Sequence, residues 1–270
     1  DLLPSLPFSH DWKLDSALSQ GVVSRLVFDI FEDFSQSYLK KLFLVGDISG
    51  FITLITEINK IFIMKKTIHY ALILDKSGSM QQLRQEVISS FNEQVEMIFK
   101  LQKNEPGVEI KISLCTFNDE VTFKYTAQNI DLLKKLTPAD YQPDSFTALY
   151  DAIGITILKV TEIMQPEDQV FLAIFTDGFE NASKEYTASD IRHKLKEVEK
   201  VGWEVQFFCR YEDSTRYKRD IGISDKILFQ FVPDANGINL VEERINFCLN
   251  KMVKSKKDLG NDKNWSKRIG

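Results

Sequence analysis

Cysteine is scarce in this chain of 270 residues, and its three copies, Cys115, Cys209 and Cys248, lie far apart. No two of them form the C-x-x-C pair found in zinc sites and redox motifs. An odd, widely spaced set is also unlike a disulfide framework. We therefore expect three buried, reduced thiols, which is typical of a cytoplasmic protein.

Long apolar segments are missing as well. The most apolar stretch, Leu42 to Thr56, is short and contains Asp47, whereas a membrane-spanning helix needs about 18 or more consecutive apolar residues. The first twenty residues carry acidic side chains and no uninterrupted apolar core, so they do not resemble a signal peptide. These absences predict neither a transmembrane segment nor a membrane partner.

A strong charge of either sign is also absent. The formal net charge is only −5, which gives little support for nucleic acid as a partner. Histidine occurs only as His10, His69 and His193, and the sequence contains neither a GxSxG elbow nor a GxxxxGK[ST] phosphate loop. The motifs of serine hydrolases and P-loop enzymes are therefore missing, and we expect a protein that is not an enzyme.

The chain divides into three regions by composition and pattern. Residues 1–63 carry no recognisable motif, and the Met64-Lys65-Lys66 that follows them resembles a translation start. We expect the functional domain to span residues 64–250, with residues 1–63 as an appendage or a miscalled extension; the alternative is a genuine small N-terminal subdomain. Residues 251–270 hold seven basic and two acidic residues, which predicts a basic, flexible tail.

Strands and helices alternate through the central region. The apolar run from Ile68 to Leu74 is typical of a strand buried on both faces of a parallel sheet, and the apolar spacing from Gln81 to Leu101 indicates an amphipathic helix. Thr187 followed by Asp190 predicts a capping box. Similar patterns predict strands at Val108–Phe117, Gln169–Thr176, Trp203–Cys209 and Ile227–Val232, an antiparallel edge strand at Val121–Tyr125, and helices at Ala148–Met164, near Ile191–Val198 and at Ile238–Met252. The predicted fold is a doubly wound, Rossmann-like α/β domain with a mainly parallel, six-stranded sheet.

Five oxygen-bearing side chains are predicted to meet at the carboxyl edge of this sheet, where such folds bind ligands. Asp75, Ser77 and Ser79 lie on the turn after the first strand, Thr147 precedes a helix, and Asp177 follows another strand. Two carboxylates and three hydroxyls suit a hard cation such as Mg²⁺, with Mn²⁺ as a second candidate. One coordination position would remain for a carboxylate from a partner. We expect the site to be a surface crevice rather than part of the core.

These segments resemble the metal-ion-dependent adhesion site of the von Willebrand factor A family, whose pattern is D-x-S-x-S, then T, then D. All five positions match, and the words T-A-L-Y-D-A-I from Thr147 and T-D-G from Thr176 are similar too. The likeness covers about residues 67–250 and is greatest to compact bacterial members of intracellular type. It implies this family's fold, with the three hydroxyls as direct ligands and the two aspartates acting largely through water.

The resemblance also implies a binding module rather than a catalyst. Its partner would be a protein that presents Glu or Asp to complete the metal shell. Some bacterial members of the family are implied to bind AAA+ ATPases or to act in stress-response complexes, so these are candidate partners here.

Neighbours of the motif leave alternatives open. Phe146 stands where many members of the family carry Gly, and it either walls the ligand side or simply packs. Lys76 would weaken cation binding if its side chain pointed inward. Glu180, Asn181 and Ser183 either line the rim of the site or form an ordinary polar surface loop.

Three other interpretations compete with the binding module. A phosphohydrolase of the haloacid dehalogenase type also uses Mg²⁺ and an Asp after the first strand, but Ser77 stands where its acid–base Asp would be. RNA binding occurs in A-domain proteins joined to a helical-repeat ring, and no such ring is evident in this sequence. Finally, Asp75 and Ser77 could merely cap a helix while Asp177 forms a turn, but that interpretation does not explain Thr147.

Overall fold

The computed structural model describes residues 66–105 and 107–254. The N-terminal region of residues 1–63, the start proposed at Met64 and the tail from residue 255 onward lie outside the described residues. Six strands and five helices alternate along the part that the structure describes. The strands are β1 (Lys66–Asp75), β2 (Val108–Phe117), β3 (Val121–Asn129), β4 (Gln169–Phe175), β5 (Glu204–Arg210) and β6 (Leu228–Phe231). The helices are α1 (Arg84–Asn104), α2 (Leu149–Ile163), α3 (Ala188–Lys200), α4 (Ser214–Asp220) and α5 (Ala235–Lys254).

The strands form one sheet in the order β3-β2-β1-β4-β5-β6. All neighbouring strands are parallel except β2 and β3, which are antiparallel at one edge. The predicted doubly wound α/β fold with six strands is therefore confirmed. Because β1 has β2 on one side and β4 on the other, the strand order reverses at β1, and this reversal opens a crevice at the carboxyl ends of β1 and β4.

The sheet is buried on both faces, which explains the continuous apolar runs of its central strands. Successive β1 residues alternate between two cores: Leu72 and Leu74 face α1 and α5, whereas Ala71 and Ile73 face α2 and α3. Burying each large aliphatic side chain stabilises the folded state by about 1.5–3 kcal/mol relative to leaving it exposed. Two separate hydrophobic cores, one on each face of the sheet, therefore hold the strands that border the crevice.

Some local details differ from the sequence prediction. β3 runs to Asn129 instead of Tyr125, because shifts in register along β2 let the edge strand continue past an irregularity. The first helix begins as a 3₁₀ segment over Gly78–Leu83 before α1 starts, and α5 continues to Lys254.

The predictions for the cap of α3 and for the cysteines are confirmed. Thr187 forms the predicted capping box with Asp190 at the start of α3. The three cysteines are buried and free. Among the described residues, no helix is both long and apolar enough to cross a membrane.

Candidate metal centre

The structure brings the five predicted side chains together at the crevice between β1 and β4. Asp75 is the last residue of β1, and the two serines lie on the turn that follows it. Asp177 comes shortly after the end of β4, and Thr147 shortly before α2 begins. The Oγ atoms of Ser77 and Ser79 are 3.2 Å apart, and Ser79 Oγ donates a hydrogen bond to Asp177 Oδ1.

The three hydroxyl groups converge on a small space beside Gly178. A methyl group placed on this glycine would lie 3.3 Å from Ser79 Oγ, 3.4 Å from Thr147 Oγ1 and 3.8 Å from Ser77 Oγ. The lack of a side chain keeps open the space that the hydroxyls surround. Gly178 therefore has a steric role in the site, which its position in a turn does not reveal.

This donor set fits a small, hard divalent cation. Mg²⁺ binds oxygen at about 2.1 Å in an octahedron, which places neighbouring ligand oxygens about 3 Å apart. The separation of 3.2 Å between the hydroxyls of Ser77 and Ser79 is close to that spacing. Within residues 66–105 and 107–254, no group of three or more His, Cys, Asp or Glu side chains could hold a metal ion. Hydroxyl oxygens would therefore supply most of the protein ligands.

Asp75 is fully buried, so the expectation that the site is only a surface crevice was wrong for this residue. Its Oδ1 accepts a hydrogen bond of 2.7 Å from the backbone N–H of Ser77. Its Oδ2 accepts one of 2.6 Å from the hydroxyl of Thr176. The carboxylate is thus fixed from two sides, and it forms the floor of the site while Ser79 lies exposed at its mouth.

Two buried carboxylates of the same charge lie close together here. Burial raises the pKa of Asp75 to about 6; hydrogen bonds from Ser77 and Thr176 oppose this rise, and the charge of Asp177 adds to it. Burial also raises the pKa of Asp177, against a hydrogen bond from Ser79 and the nearby charge of Arg210. Both ionised forms are therefore destabilised by desolvation, and a bound cation would offset that cost.

Asn181 holds Thr147 in place. The backbone N–H of Thr147 donates to Asn181 Oδ1 at 2.8 Å, and the Thr147 carbonyl accepts from the backbone N–H of Asn181 at 3.0 Å. A second acceptor, Glu180, receives backbone N–H groups from Tyr150 and Ser183, which ties the start of α2 to the loop after β4. Glu180 and Asn181 therefore fix the position of a predicted ligand.

Helix capping does not account for the predicted ligands. Ser77 precedes the 3₁₀ segment, yet its side chain makes no capping hydrogen bond. The residue at the N-cap of α2 is Ala148, not Thr147. Asp75 does close a short turn with the backbone of Ser77, but the convergence of hydroxyls on Gly178 remains unexplained by turns and caps alone.

The charge of Lys76 acts on the neighbouring turn between β2 and β3. There, a hydrogen bond from Ser145 lowers the pKa of Asp119, and the ammonium groups of Lys184 and Lys76 lower it further. The backbone of Lys76 is fixed between Phe117 and the loop before α2.

Sequence reasoning missed several residues that hold the site together. Thr176 was quoted only as part of the T-D-G word, but its hydroxyl anchors Asp75. Tyr141 donates a hydrogen bond of 2.5 Å to the backbone carbonyl of Asp75, and Tyr217 donates to that of Gly178. The two tyrosines come from distant parts of the chain, so no local pattern could have indicated them.

Comparison with known proteins shows the fold but no close relative. No family model matches the chain, and no curated protein matches it in sequence. The vWF domain of the type V pili tip protein Mfa5 from Porphyromonas gingivalis superposes with a TM-score of 0.52 at 10% identity, covering 73% of this chain and 98% of that one.

Two further pilus proteins share the architecture. The PilB minor pilin from Streptococcus sanguinis matches with a TM-score of 0.50 at 13% identity, over 70% of this chain and 62% of that protein. The pilus adhesin SpaC from Lactobacillus rhamnosus GG, in its open conformation, gives 0.55 at 12% identity, over 70% of this chain and 30% of that protein. This chain thus spans less than two thirds of both. At such identities the likeness shows the fold alone, which is that of the von Willebrand factor A domains.

Proposed function

We propose that this chain is a protein-binding module that depends on a divalent cation, Mg²⁺ or Mn²⁺, and docks a carboxylate of its partner. The observation that carries the proposal is the convergence of three hydroxyl oxygens on the space beside Gly178, between two buried carboxylates. Neutral hydroxyls and buried carboxylates suit a cation better than any anionic or apolar ligand.

Each predicted residue has a separate role in this proposal. Ser77, Ser79 and Thr147 would bind the cation through their hydroxyl oxygens, and Asp75 and Asp177 would supply negative charge largely through bound water. All five residues are held in position by hydrogen bonds of their side chain or their backbone. The bound cation would supply the positive charge that attracts a partner's carboxylate.

We also propose that the site binds and does not catalyse. Ser77 occupies the position where a phosphohydrolase would need a second carboxylate as acid–base. Neither described histidine replaces it: His69 pairs with Asp168, and His193 on α3 contacts the backbone of Ser189. A hydroxyl without an adjacent base is a weak nucleophile. Turnover of p-nitrophenyl phosphate by the Mg²⁺-loaded chain would contradict this part of the proposal.

The structural neighbours support a binding role. One of them is described as a pilus adhesin and another as a pilus tip protein. Their likeness concerns the fold, so it supports binding in general and identifies no partner. The partner chemistry proposed here, an exposed Glu or Asp, comes from the donor set of this chain.

The direct test uses two amide-capped amino acids that differ only in charge. Proton NMR line broadening of N-acetyl-glutamate amide and N-acetyl-glutamine amide would be measured with the Mn²⁺-loaded full chain. We expect broadening of the glutamate probe only, and its loss in the Thr147→Ala variant and after chelation. Equal behaviour of the two probes at a protein that binds Mn²⁺ would contradict carboxylate docking.

A further inference from the structure

An exposed aromatic side chain stands directly beside the cation site. Phe146 immediately precedes Thr147 and is 64% exposed, although Thr147 itself is buried. Of the two alternatives left by the sequence, packing into the core is therefore excluded. An exposed phenylalanine adjacent to a predicted ligand is where a partner's side chain would first make apolar contact.

The backbone on both sides of Phe146 is fixed, so its exposure does not come from a loose loop. The Ser145 carbonyl accepts the backbone N–H of Gly78 at 3.1 Å, and Ala148 N–H donates to the Asn118 carbonyl at 2.6 Å. Ser145 also has a φ of 63°, a conformation that residues other than glycine rarely adopt. The loop that carries Phe146 is therefore fixed in a locally strained conformation, with the Phe146 side chain exposed.

A second exposed aromatic residue lies on the opposite side of the site. Tyr211 follows directly after β5 and is 76% exposed. Because β5 is the neighbour of β4 on the side away from β1, Tyr211 flanks the site from the β5 side. Phe146 lies in a loop on the β2 side, since the backbone N–H of Ala148 donates to the Asn118 carbonyl on the turn between β2 and β3. We call these two residues the aromatic rim.

From this geometry we infer that the docking segment of the partner carries an apolar side chain next to its acidic residue, and that this side chain packs on Phe146. The inference rests on the proposed function, because the acidic residue must reach the cation. Consecutive Cα atoms are about 3.8 Å apart, so a group bound at Thr147 brings its sequence neighbours within reach of Phe146. The occupant is thus a protein segment in which Glu or Asp adjoins an aromatic or large aliphatic residue.

Four capped tripeptides test this inference on the Mn²⁺-loaded full chain. The probes are acetyl-Gly-Glu-Gly-amide, acetyl-Phe-Glu-Gly-amide, acetyl-Gly-Glu-Phe-amide and acetyl-Phe-Gln-Gly-amide, with affinities taken from NMR titration. The variants are Phe146→Ser and, as a matched control, Phe247→Ser, which changes a phenylalanine on α5 that is 60% exposed. Both variants keep the core and the predicted ligands.

We expect at least one of the two peptides that carry both Phe and Glu to bind the original chain and Phe247→Ser roughly 5- to 20-fold more tightly than the Gly-Glu-Gly peptide. This advantage should vanish in Phe146→Ser, with unchanged affinity for Mn²⁺ and for Gly-Glu-Gly. The inference is overturned if neither of the two peptides that carry both Phe and Glu has an advantage, or if the advantage survives in Phe146→Ser.

Two other outcomes separate this inference from the proposed function. If no Glu peptide binds, or if the Gln peptide binds as well as its Glu counterpart, the proposed function fails and the inference falls with it. If Glu peptides bind without preference for Phe while sedimentation shows self-association that Phe146→Ser abolishes, the rim contacts a second copy of this chain. That result would overturn the inference and leave the proposed function standing.

Discussion

Buried polar groups have different partners at the two edges of the sheet, the amino edge where the parallel strands begin and the carboxyl edge where they end. At the amino edge, His69 Nε2 lies 2.8 Å from Asp168 Oδ2, and the same oxygen accepts the backbone N–H of Gln165. At the carboxyl edge, hydroxyl and backbone groups donate to Asp75, a hydroxyl donates to Asp177, and burial raises the pKa of both. His69 Nε2 and Asp168 stabilise each other, whereas burial destabilises the ionised forms of Asp75 and Asp177. This contrast is what a site prepared for a cation requires.

The strongest contrast between the edges is expected from two glycines. Gly178→Ala at the carboxyl edge would place a methyl group among the three hydroxyls. We expect it to weaken Mn²⁺ binding by about 100-fold or more, since a displaced ligand set loses several metal–oxygen contacts. The measurement is electron paramagnetic resonance of free Mn²⁺.

The matched control for that change lies at the amino edge. A methyl group on Gly107, just before β2, would meet nothing within 4 Å. Gly107→Ala should leave Mn²⁺ affinity unchanged. Equal affinity in Gly178→Ala and Gly107→Ala would mean that the cation binds elsewhere.

Removing the acidic partner at the amino edge should affect stability alone. Asp168→Ala leaves the buried His69 ring and the backbone N–H of Gln165 without their acceptor. We expect the free energy of unfolding to fall by about 2 kcal/mol, because the buried His69 ring loses its hydrogen bond. Urea unfolding at pH 7 measures it. A loss of Mn²⁺ affinity in this variant would remove the distinction between the two edges.

The corresponding change at the carboxyl edge should have the opposite sign. The pKa of Asp75 is higher in the folded chain than in the unfolded one, so ionisation at pH 7 destabilises the fold. Asp75→Asn removes that charge, and its amide can still accept from Ser77 and donate to Thr176. With chelator present, we expect the free energy of unfolding to rise by about 1 kcal/mol while Mn²⁺ binding is lost. A fall of several kcal/mol would show that Asp75 serves stability instead.

The smallest effects are expected where the backbone is strained. Ser145, in the loop before Thr147, has a φ of 63°, and Ala127, within the edge strand β3, has a φ of 44°. Changing either one to glycine relieves that strain, and we expect a gain of about 0.5 kcal/mol or less in each case, set by urea unfolding. Only Ser145→Gly should also weaken binding of Glu peptides that contain Phe, because it loosens the loop that presents Phe146. Weaker peptide binding in Ala127→Gly would contradict this assignment.

The fold, and the meeting of the five predicted side chains at one crevice, could be predicted because their signals are local. Apolar runs such as Ile68–Leu74 indicate strands by themselves, and Asp75 and Asp177 each follow such a run directly. The prediction of Asp75 as a surface residue was wrong, because its burial comes from Thr176 and Tyr141, which lie far away in sequence. The side-chain exposure of Phe146 likewise depends on backbone hydrogen bonds to two other loops.

Residues whose roles depend on tertiary contacts could not be assigned from the sequence either. Asn181 could be recognised as polar and close to Asp177, but its pairing with Thr147 requires the loop after β4 to meet the start of α2. The greater length of β3 has a similar origin, since Ala127 N–H bonds to Ser113 Oγ on the neighbouring strand beside the irregularity. Sequence patterns identify which residues carry the chemistry, and long-range contacts decide how firmly they are held.

Isothermal titration of Mn²⁺ into the full chain and into Asp75→Asn, each with and without N-acetyl-glutamate amide, tests the cation site most directly. We expect one saturable site per chain in the original protein, tighter with the glutamate probe present, and none in Asp75→Asn. No saturable binding under either condition, or equal binding in the variant, would contradict a cation held between Asp75 and Asp177.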